Sequence, residues 1–474
     1  MERPPRPCVA LVVSKAAQAI ALKNGVRFEE LLQPFSVVAG ADALVRSVSR
    51  TYRLQNFALH WYDVTSLAPP SERDITKALL DAVEAGDPAV DTDPVPPRKG
   101  SPLFSPWFDQ FRGELNAQMR CQEHEMFEQP VAMIFVAATT DVDPIATFDE
   151  LASAKRLPRA FAKRHYDGAI PRFHVLLDDV GAGETAPTAD AILRRMKSTF
   201  LAPNCKLLQI NSIGAPTPGA VPAGGADLWG TAEAGAEHLR GAHLSADDLK
   251  AIAAFTADLS VKHVLPTMER RMFQLNSEIE KQKKGFKNAL KSWWRKPKAE
   301  AAGSASGAAS IRYPHDSIEA RIRLLADYAC VALRTRSSRT LASARVLTLL
   351  RCALAPRRRY MLEDYAMAMQ FYRMVDADFK ADNARLHRGG VLRMLCKCEI
   401  KLNEPPASYV DHAKVAAQLV GRAASHESSA GTSGAMLVLL RAQLLVVDAL
   451  LAAGGTARTY VRQAADALVA AAEH

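Results

Sequence analysis

The sequence lacks any long apolar run free of charge. Among its 474 residues, no window reaches the about 18 apolar residues that a membrane-spanning helix requires. The nearest approach, residues 436–452, contains Arg441, Gln443 and Asp448, which is typical of a helix buried among other helices. The first apolar run, Cys8–Val13, ends too early for the core of a signal peptide. The sequence therefore predicts a chain that stays in the cytosol.

Paired cysteines are also lacking. The seven cysteines are scattered and include no CxxC motif. Cys396 and Cys398 stand two positions apart in a predicted helix, so they point in different directions and are poorly placed to share a metal. An odd, dispersed set indicates reduced thiols buried as small hydrophobic residues. We expect no metal and no other cofactor.

Signatures of the common catalytic sites are missing as well. The chain has no GxxxxGK[ST] loop, Glu128 stands where an HExxH motif starting at His124 needs its second histidine, and Gly303–Gly307 does not fit GxSxG. The run Val175–Asp179 is followed by glycines, as in nucleotide-binding loops, but no lysine stands nearby in that loop. We interpret it as a strand ending in a turn, and the residues predict a protein that is not an enzyme.

The first 213 residues alternate between two patterns. Short apolar runs of strand length are Cys8–Val13, Phe57–Trp61, Val131–Val136, Phe173–Leu177 and Lys206–Ile210. Helical stretches between them are Ala16–Leu22, Phe28–Leu32, Trp107–Phe127 and Ala189–Phe200. This alternation predicts an α/β domain over residues 1–213 with a partly parallel sheet.

The rest of the chain has a different organisation. Residues 214–243 are rich in Gly, Pro and Ala and predict a linker. Ser245 and Asp248 have capping-box spacing, which starts a long helix within residues 244–298. Residues 299–316 predict a flexible spacer. Residues 317–474 show only helical periodicity, and Tyr365–Tyr372 has the spacing of helical-hairpin repeats. We predict a TPR-like α-solenoid there and leave its repeat type open.

The net charge of +9 is concentrated in one segment. Between residues 281 and 298 the chain carries eight basic residues and no acidic one: Lys281, Lys283, Lys284, Lys287, Lys291, Arg295, Lys296 and Lys298. The remainder is close to neutral, so the charge does not predict an extended nucleic-acid surface.

The same segment is amphipathic when it is arranged as a helix. Phe286, Ala289, Leu290, Trp293 and Trp294 then share one face, while Lys284, Lys287, Lys291 and Arg295 cover the other and Pro297 ends the helix. Tryptophan beside lysine suits the boundary between lipid headgroups and acyl chains. The predicted membrane-binding residues are Lys283, Lys284, Phe286, Lys287, Leu290, Lys291, Trp293, Trp294, Arg295 and Lys296.

Three other interpretations of this segment stay open from the residues alone. The helix could lie in the groove of a partner protein. It could pack on its own domain with a solvated basic side. It could also contact nucleic acid or act as a nuclear address, although the rest of the chain offers little basic surface in support.

Several blocks, taken in order, resemble the family of the TRAPP III-specific subunit, which includes the yeast eighty-five-kilodalton TRAPP subunit. The blocks are Phe28–Phe35 (FEELLQPF), Ser105–Phe108 with Phe111, Glu123–Glu125, Val131–Val136, Phe173–Val180, Lys206–Ser212, the helix with its basic continuation, and Arg312–Pro314. In two respects the chain departs from the family. Residues 334–360 look like extra length, and the β-sandwich domains of larger members are missing, so we expect a short member or a fragment.

The resemblance implies a function. Members of this family are non-catalytic subunits of a complex that exchanges nucleotide on a Rab GTPase of early secretion, and the exchange activity belongs to other subunits. The implied partners are other TRAPP subunits, indirectly that Rab, and an anionic membrane, with no nucleic acid. The implied setting is the cytoplasmic side of Golgi, ER–Golgi intermediate and pre-autophagosomal membranes, in vesicle transport and autophagosome formation. The family's membrane-anchoring helix corresponds to Lys283–Lys296.

Overall fold

The computed structural model describes residues 7–38, 44–46, 51–53, 57–64, 77, 115, 129–153, 157, 166–183, 186–214, 228–229, 240–293, 313–330, 365–427, 434–453 and 463. For residues 186–187, 282–293, 424–427 and 434–438 it describes the helical backbone alone. The predicted helix Trp107–Phe127 lies outside the described residues except for Leu115. The predicted linker and spacer are described only at residues 214, 228–229, 240–243 and 313–316.

The described strands are β1 (Cys8–Val13), β2 (Val37–Val38), β3 (Leu44–Arg46), β4 (Thr51–Arg53), β5 (Phe57–Ala58), β6 (His60–Asp63), β7 (Pro130–Ala138), β8 (Arg172–Asp179) and β9 (Cys205–Ile210). The described helices are α1 (Lys15–Leu22), α2 (Phe28–Leu32), α3 (Pro144–Leu151), α4 (Ala186–Thr199), α5 (Ala246–Asp258), α6 (Leu265–Trp293), α7 (Ile318–Cys330), α8 (Tyr365–Ala381), α9 (Arg385–Lys401), α10 (Pro406–Glu427) and α11 (Gly434–Ala453). A π-helix, Leu259–Val264, joins α5 to α6, and 3-10 turns lie at Gln33–Phe35, Val180–Ala182 and Ala202–Asn204.

Five strands form one sheet in the order β6-β1-β7-β8-β9, and every pairing in it is parallel. All residues of β1 and β7 are buried, which explains why their sequences are almost uninterrupted apolar runs. Helices α3 and α4 contribute to the apolar layer on one face. On the other face lie α1, α2 and the long helix, which consists of α5, the π-helix and α6.

Two sequence predictions about strands need correction. The sheet was predicted to be partly parallel. The five-stranded sheet is parallel throughout its described strands, and the antiparallel pairs β2–β5 and β3–β4 form separate two-stranded sheets. The run Phe57–Trp61 was predicted as one strand, but it changes partner at Leu59, whose N–H donates to the Ser36 carbonyl at 3.0 Å. Before Leu59 the chain pairs with β2, and after it with β1. Periodicity cannot reveal such a change, because both halves have the same apolar character.

Helix α1 lies at the carboxyl edge of the sheet. Ser14, which follows β1, donates its N–H to Val136 of β7 (2.9 Å) and caps α1 by accepting from the N–H of Ala17 (3.1 Å). At the other end of α1, Asn211 after β9 donates to the Ile20 carbonyl (3.3 Å). Eight residues span about 12 Å of helix, close to the about 14 Å that separate β1 from β9. Helix α1 therefore packs on one face of the sheet with both of its ends at the carboxyl edge.

The long helix runs antiparallel to the strands. It starts beside Ser212, which follows β9, and its π-helical segment reaches Phe173 near the start of β8, where the ring centroids of His263 and Phe173 are 5.1 Å apart. Pro266 stands just after that segment. Proline lacks an N–H and its ring crowds the carbonyl four residues back. The wider π-turn makes room for it, so the helix continues through a residue that usually ends one.

The C-terminal helices α7 to α11 pack against their neighbours in chain order. Asn383 and Asn403, with φ of 54° and 52°, turn the chain after α8 and α9, as asparagine does at helix ends. One apolar cluster extends from the sheet through the long helix to α11. The predicted α/β region followed by a helical region is confirmed, whereas the solenoid stays a prediction.

Candidate functional site

The start of the long helix is fastened to the sheet by polar contacts. Ser245 accepts a hydrogen bond from the N–H of Asp248 (3.1 Å), and the Asp248 carboxylate accepts one from the N–H of Ser245 (2.9 Å). The predicted capping box is therefore present. The same carboxylate also accepts from the N–H and hydroxyl of Ser212 at 2.9 and 2.7 Å. One buried carboxylate thus joins the helix start to the end of β9.

Asn24, which follows α1, also links the end of β9 to the residues that precede the long helix. Asn24, which is fully buried, donates to Asn211 at 2.7 Å and accepts from the N–H of His243 at 3.1 Å. The N–H of Gly241 donates to the Asn24 carbonyl at 2.9 Å. Gly241 has a φ of 76°, and a Cβ there would lie 2.6 Å from the ring of Trp229. Only glycine fits both the backbone and this close approach.

Further along, the long helix presents one buried stripe. Met268, Met272, Leu275 and Ile279 are at most 2% exposed, and their spacing places them on one face of α6. Arg271 binds Asp167 at 2.9 Å and Arg321 of α7 binds Glu278 at 3.4 Å. The body of the protein therefore holds α6 firmly as far as Ile279.

Helix α7 runs antiparallel to this part of α6. Arg321 lies beside Glu278, and Tyr328 lies near Arg271, which partly opposes the rise that burial causes in the tyrosine pKa. Ile318, the first residue of α7, lies three residues before Arg321, and Lys281 lies three residues after Glu278. Because the two helices are antiparallel, Ile318 is level with Lys281. From Lys281 onward, α6 extends past the start of α7.

The predicted membrane segment occupies this extension. The backbone of Lys283–Trp293 is helical and continuous with α6, while Trp294, Arg295 and Lys296 lie outside the described residues. Positions seven apart share a helix face, so Phe286 and Trp293 stand in register with Ile279. Leu290 is five full turns from Met272. The apolar positions of the extension therefore continue the face that α6 buries upstream.

The acidic end of β8 was the other place where the sequence suggested a site. Asp178 accepts from the Thr139 hydroxyl (2.9 Å) and the Gln209 amide (3.1 Å), and Lys23, which directly follows α1, forms an ion pair with Asp179. Lys23 is 156 positions away in the chain, so the sequence did not indicate it. A 3-10 turn follows, and Gly183 has a φ of 88°. The interpretation of a strand ending in a turn is confirmed, and the carboxylates bind side chains just after α1, just after β7 and within β9.

The described residues also bear on metals, cysteines and membrane spans. They contain no group of three His, Cys, Asp or Glu side chains placed to hold a metal ion. Cys8, Cys205, Cys330, Cys396 and Cys398 are buried free thiols, as predicted, while Cys121 and Cys352 lie outside the described part. No described helix has the length and apolarity needed to cross a membrane.

Comparison with known proteins identifies the family. The sequence model of the family described as "TRAPPC-Trs85: ER-Golgi trafficking TRAPP I complex 85 kDa subunit" matches residues 2–332, which is 331 of the 474 residues. The match ends just after α7, so α8 to α11 lie beyond it. The human protein "Trafficking protein particle complex subunit 8" is 27% identical over 215 residues, covering 44% of this chain and 15% of the human protein. On the family match, the chain belongs to the TRAPPC-Trs85 family of TRAPP complex subunits.

Proposed function

We propose that the protein is a non-catalytic subunit of a TRAPP-type complex and that its basic helix docks the complex on an anionic membrane. The complex would act in ER-to-Golgi and Golgi transport and in autophagosome formation, exchanging nucleotide on a Rab GTPase through other subunits. The family supports membership in a TRAPP complex. The chain aligns with 15% of the length of the human relative, so the activity and partners of the whole complex belong to the proposal.

The observation that carries the membrane role is the register of α6. Its apolar face is buried from Met268 to Ile279, and the same face continues at Phe286, Leu290 and Trp293. Helix α7 accompanies α6 only to the level of Lys281. About 18 Å of helix therefore extends beyond it, carrying apolar positions on one side and lysine positions on the other. Such a pattern suits the interface of a bilayer.

The energies expected for this contact are modest. Each lysine or arginine near an anionic leaflet contributes about 1 kcal/mol. Partial burial of each large apolar side chain adds about 1–2 kcal/mol, and ordering the segment offsets part of that sum. The helix alone would bind weakly and reversibly. A complex that supplies a second contact would convert this weak binding into stable recruitment.

The other parts of the molecule would supply protein interfaces. We propose that α7 to α11 belong to an α-solenoid, because consecutive helices in this region pack on one another as solenoid repeats do. A solenoid offers long surfaces to partner subunits. In this arrangement the protein would sit peripherally on the cytoplasmic side of Golgi, ER–Golgi intermediate and pre-autophagosomal membranes.

Flotation with vesicles of phosphatidylcholine and phosphatidylserine tests the membrane role. Changing Phe286, Leu290, Trp293 and Trp294 to Asp should abolish flotation of the full chain while leaving its thermal midpoint unchanged. Leu22→Asp is the matched control, because Leu22 is an apolar side chain that is 52% exposed at the end of α1. It should float like the parent protein. Undiminished flotation of the fourfold variant would contradict the proposal.

A second function is favoured by the same register. A face that packs against α7 upstream has the shape and polarity of a helix–helix interface, so the extension would also fit the groove of a partner protein. Tryptophan fluorescence separates the two functions. A blue shift of Trp293 and Trp294 with vesicles alone supports the membrane, whereas a shift that needs added TRAPP subunits supports the scaffold.

A further inference from the structure

A straight α6 cannot lay its extension flat on a bilayer. The apolar positions Phe286, Leu290 and Trp293 are in register with the stripe that ends at Ile279, so in a straight helix they face the same side as that stripe. This is the side on which the body, including α7, packs. Packed helices have axes about 8–10 Å apart. A flat membrane touching the extension would therefore overlap α7.

The extension must turn relative to the buried part of α6 before it can dock. A bend at the π-helix or at Pro266 does not achieve this. Both precede Met268, so such a bend would move the buried stripe and the extension together. The turn has to occur after Ile279 and before Phe286. Proline and glycine have the lowest helix propensities, so a helix bends most easily where one of them stands.

Gly285 meets this requirement. It is the only glycine between Ala246 and Trp293, and it immediately precedes Phe286. It also lies four residues beyond Lys281, where α7 begins to run beside α6. Glycine is the weakest helix former apart from proline, because it loses the most backbone freedom on folding. The sequence thus places the residue of lowest helix propensity after Pro266 between the part of α6 that α7 accompanies and the part beyond it.

We propose that Gly285 is a hinge about which the basic segment turns away from the plane of α7 to present its apolar face to anionic lipid. This inference rests on the proposed membrane function and adds a positioning residue to it. The hinge explains how one helix can pack on the body and also dock on a membrane with the same face.

Substitutions in the full chain test the hinge by flotation with phosphatidylcholine–phosphatidylserine vesicles. Gly285→Ala should weaken binding about five-fold, the factor that corresponds to the difference in helix propensity between alanine and glycine. Its thermal midpoint should stay the same or rise. Adding Gln282→Gly to Gly285→Ala should restore binding, because it returns a glycine between Ile279 and Phe286 without changing a charge or an apolar position.

The outcomes separate the hinge from the membrane function. If Gly285→Ala floats like the parent while the fourfold Asp variant does not, the hinge is overturned and the membrane role stands. A loss with Gly285→Ala that Gln282→Gly does not restore also overturns it, because position 285 would then matter for a reason other than flexibility. If the fourfold variant still floats, both proposals fail together.

Discussion

The sheet and the helical array bury ionisable side chains in different ways. In the sheet, carboxylates stand at the strand ends. There they bind the Thr139 hydroxyl just after β7, the Gln209 amide of β9 and the Lys23 ammonium just after α1. In the array, charged groups lie within helices and pair with one another. Arg323 and Asp327 of α7 bind at 3.0 Å with side chains 2% and 3% exposed. Tyr372 of α8 adds a hydroxyl donor to Asp327 at 2.6 Å.

Glu399 of α9 is another buried carboxylate of the array that binds side chains of neighbouring helices. It is fully buried and accepts from Arg373 of α8 (3.3 Å) and from Ser408 and His412 of α10 (3.0 and 2.8 Å). Burial alone would raise the pKa of this carboxyl, but the three donors outweigh burial and hold the pKa below its ordinary value. Buried carboxylates in the array thus bind donors from the same and from neighbouring helices, whereas most of the buried residues of the sheet strands are apolar. Three predictions test this contrast.

Removing one partner of the α7 pair should have the largest effect. Arg323→Met leaves the buried Asp327 carboxylate without its guanidinium, and the free energy of unfolding should fall by about 3–5 kcal/mol. Urea denaturation followed by circular dichroism measures this change. In the double variant Arg323→Met, Asp327→Leu, much of the loss should be recovered because both charges are gone. A single variant as stable as the parent would show that the array does not depend on this pair.

The stability of the sheet should depend on pH through His174, which is buried in its neutral form. His174 of β8 stacks on Phe200 with ring centroids 4.0 Å apart and meets the edge of Phe148 at 5.2 Å. Burial lowers its pKa to about 4, nearby Arg172 adds to this, and Asp149 opposes it. The folded protein therefore holds His174 neutral at pH values where the unfolded chain already binds a proton.

Stability should consequently fall as the pH drops from about 6.5, the ordinary histidine pKa, to about 4. The gap between the two pKa values corresponds to a loss of up to about 3 kcal/mol. Below pH 4 this residue adds nothing more, because both states are then protonated. Thermal midpoints of the parent and His174→Phe across this range measure the effect. Parallel curves would show that His174 does not couple the sheet to pH.

Sequence reasoning recovered the parts of the fold that depend on local pattern. Strands β1, β7 and β8 were predicted because burial on both faces requires continuous apolar runs, and β9 was predicted from a short apolar run although it is only partly buried. The capping box at Ser245 could be predicted because its two residues, Ser245 and Asp248, are only three positions apart. Contacts between distant segments left no such signal. The Lys23–Asp179 pair and the position of α1 at the carboxyl edge of the sheet depend on how the chain folds back on itself.

In the candidate site, too, local features could be predicted from the sequence and long-range packing could not. The amphipathic pattern of residues 283–296 is local, and the helical backbone extends through it to Trp293. The relation of that pattern to α7 is not local. Nothing in the sequence indicates that α7 runs beside α6 only as far as Lys281, because this depends on the packing of two separate helices. The register that argues for a hinge at Gly285 therefore emerged only from the structure.

The smallest effect should come from the junction between the sheet and the long helix. Ser245→Ala removes the hydroxyl that accepts the N–H of Asp248 and contacts Ser212 at 2.7 Å. The loss should be about 1 kcal/mol, as for other helix caps, since the Asp248 carboxylate still accepts from two N–H groups. Ser277→Ala, at an exposed position within α6, is the matched control and should change the urea midpoint little. If the two variants behave alike, the cap at Ser245 does not fasten the helix, and the attachment relies on the apolar stripe instead.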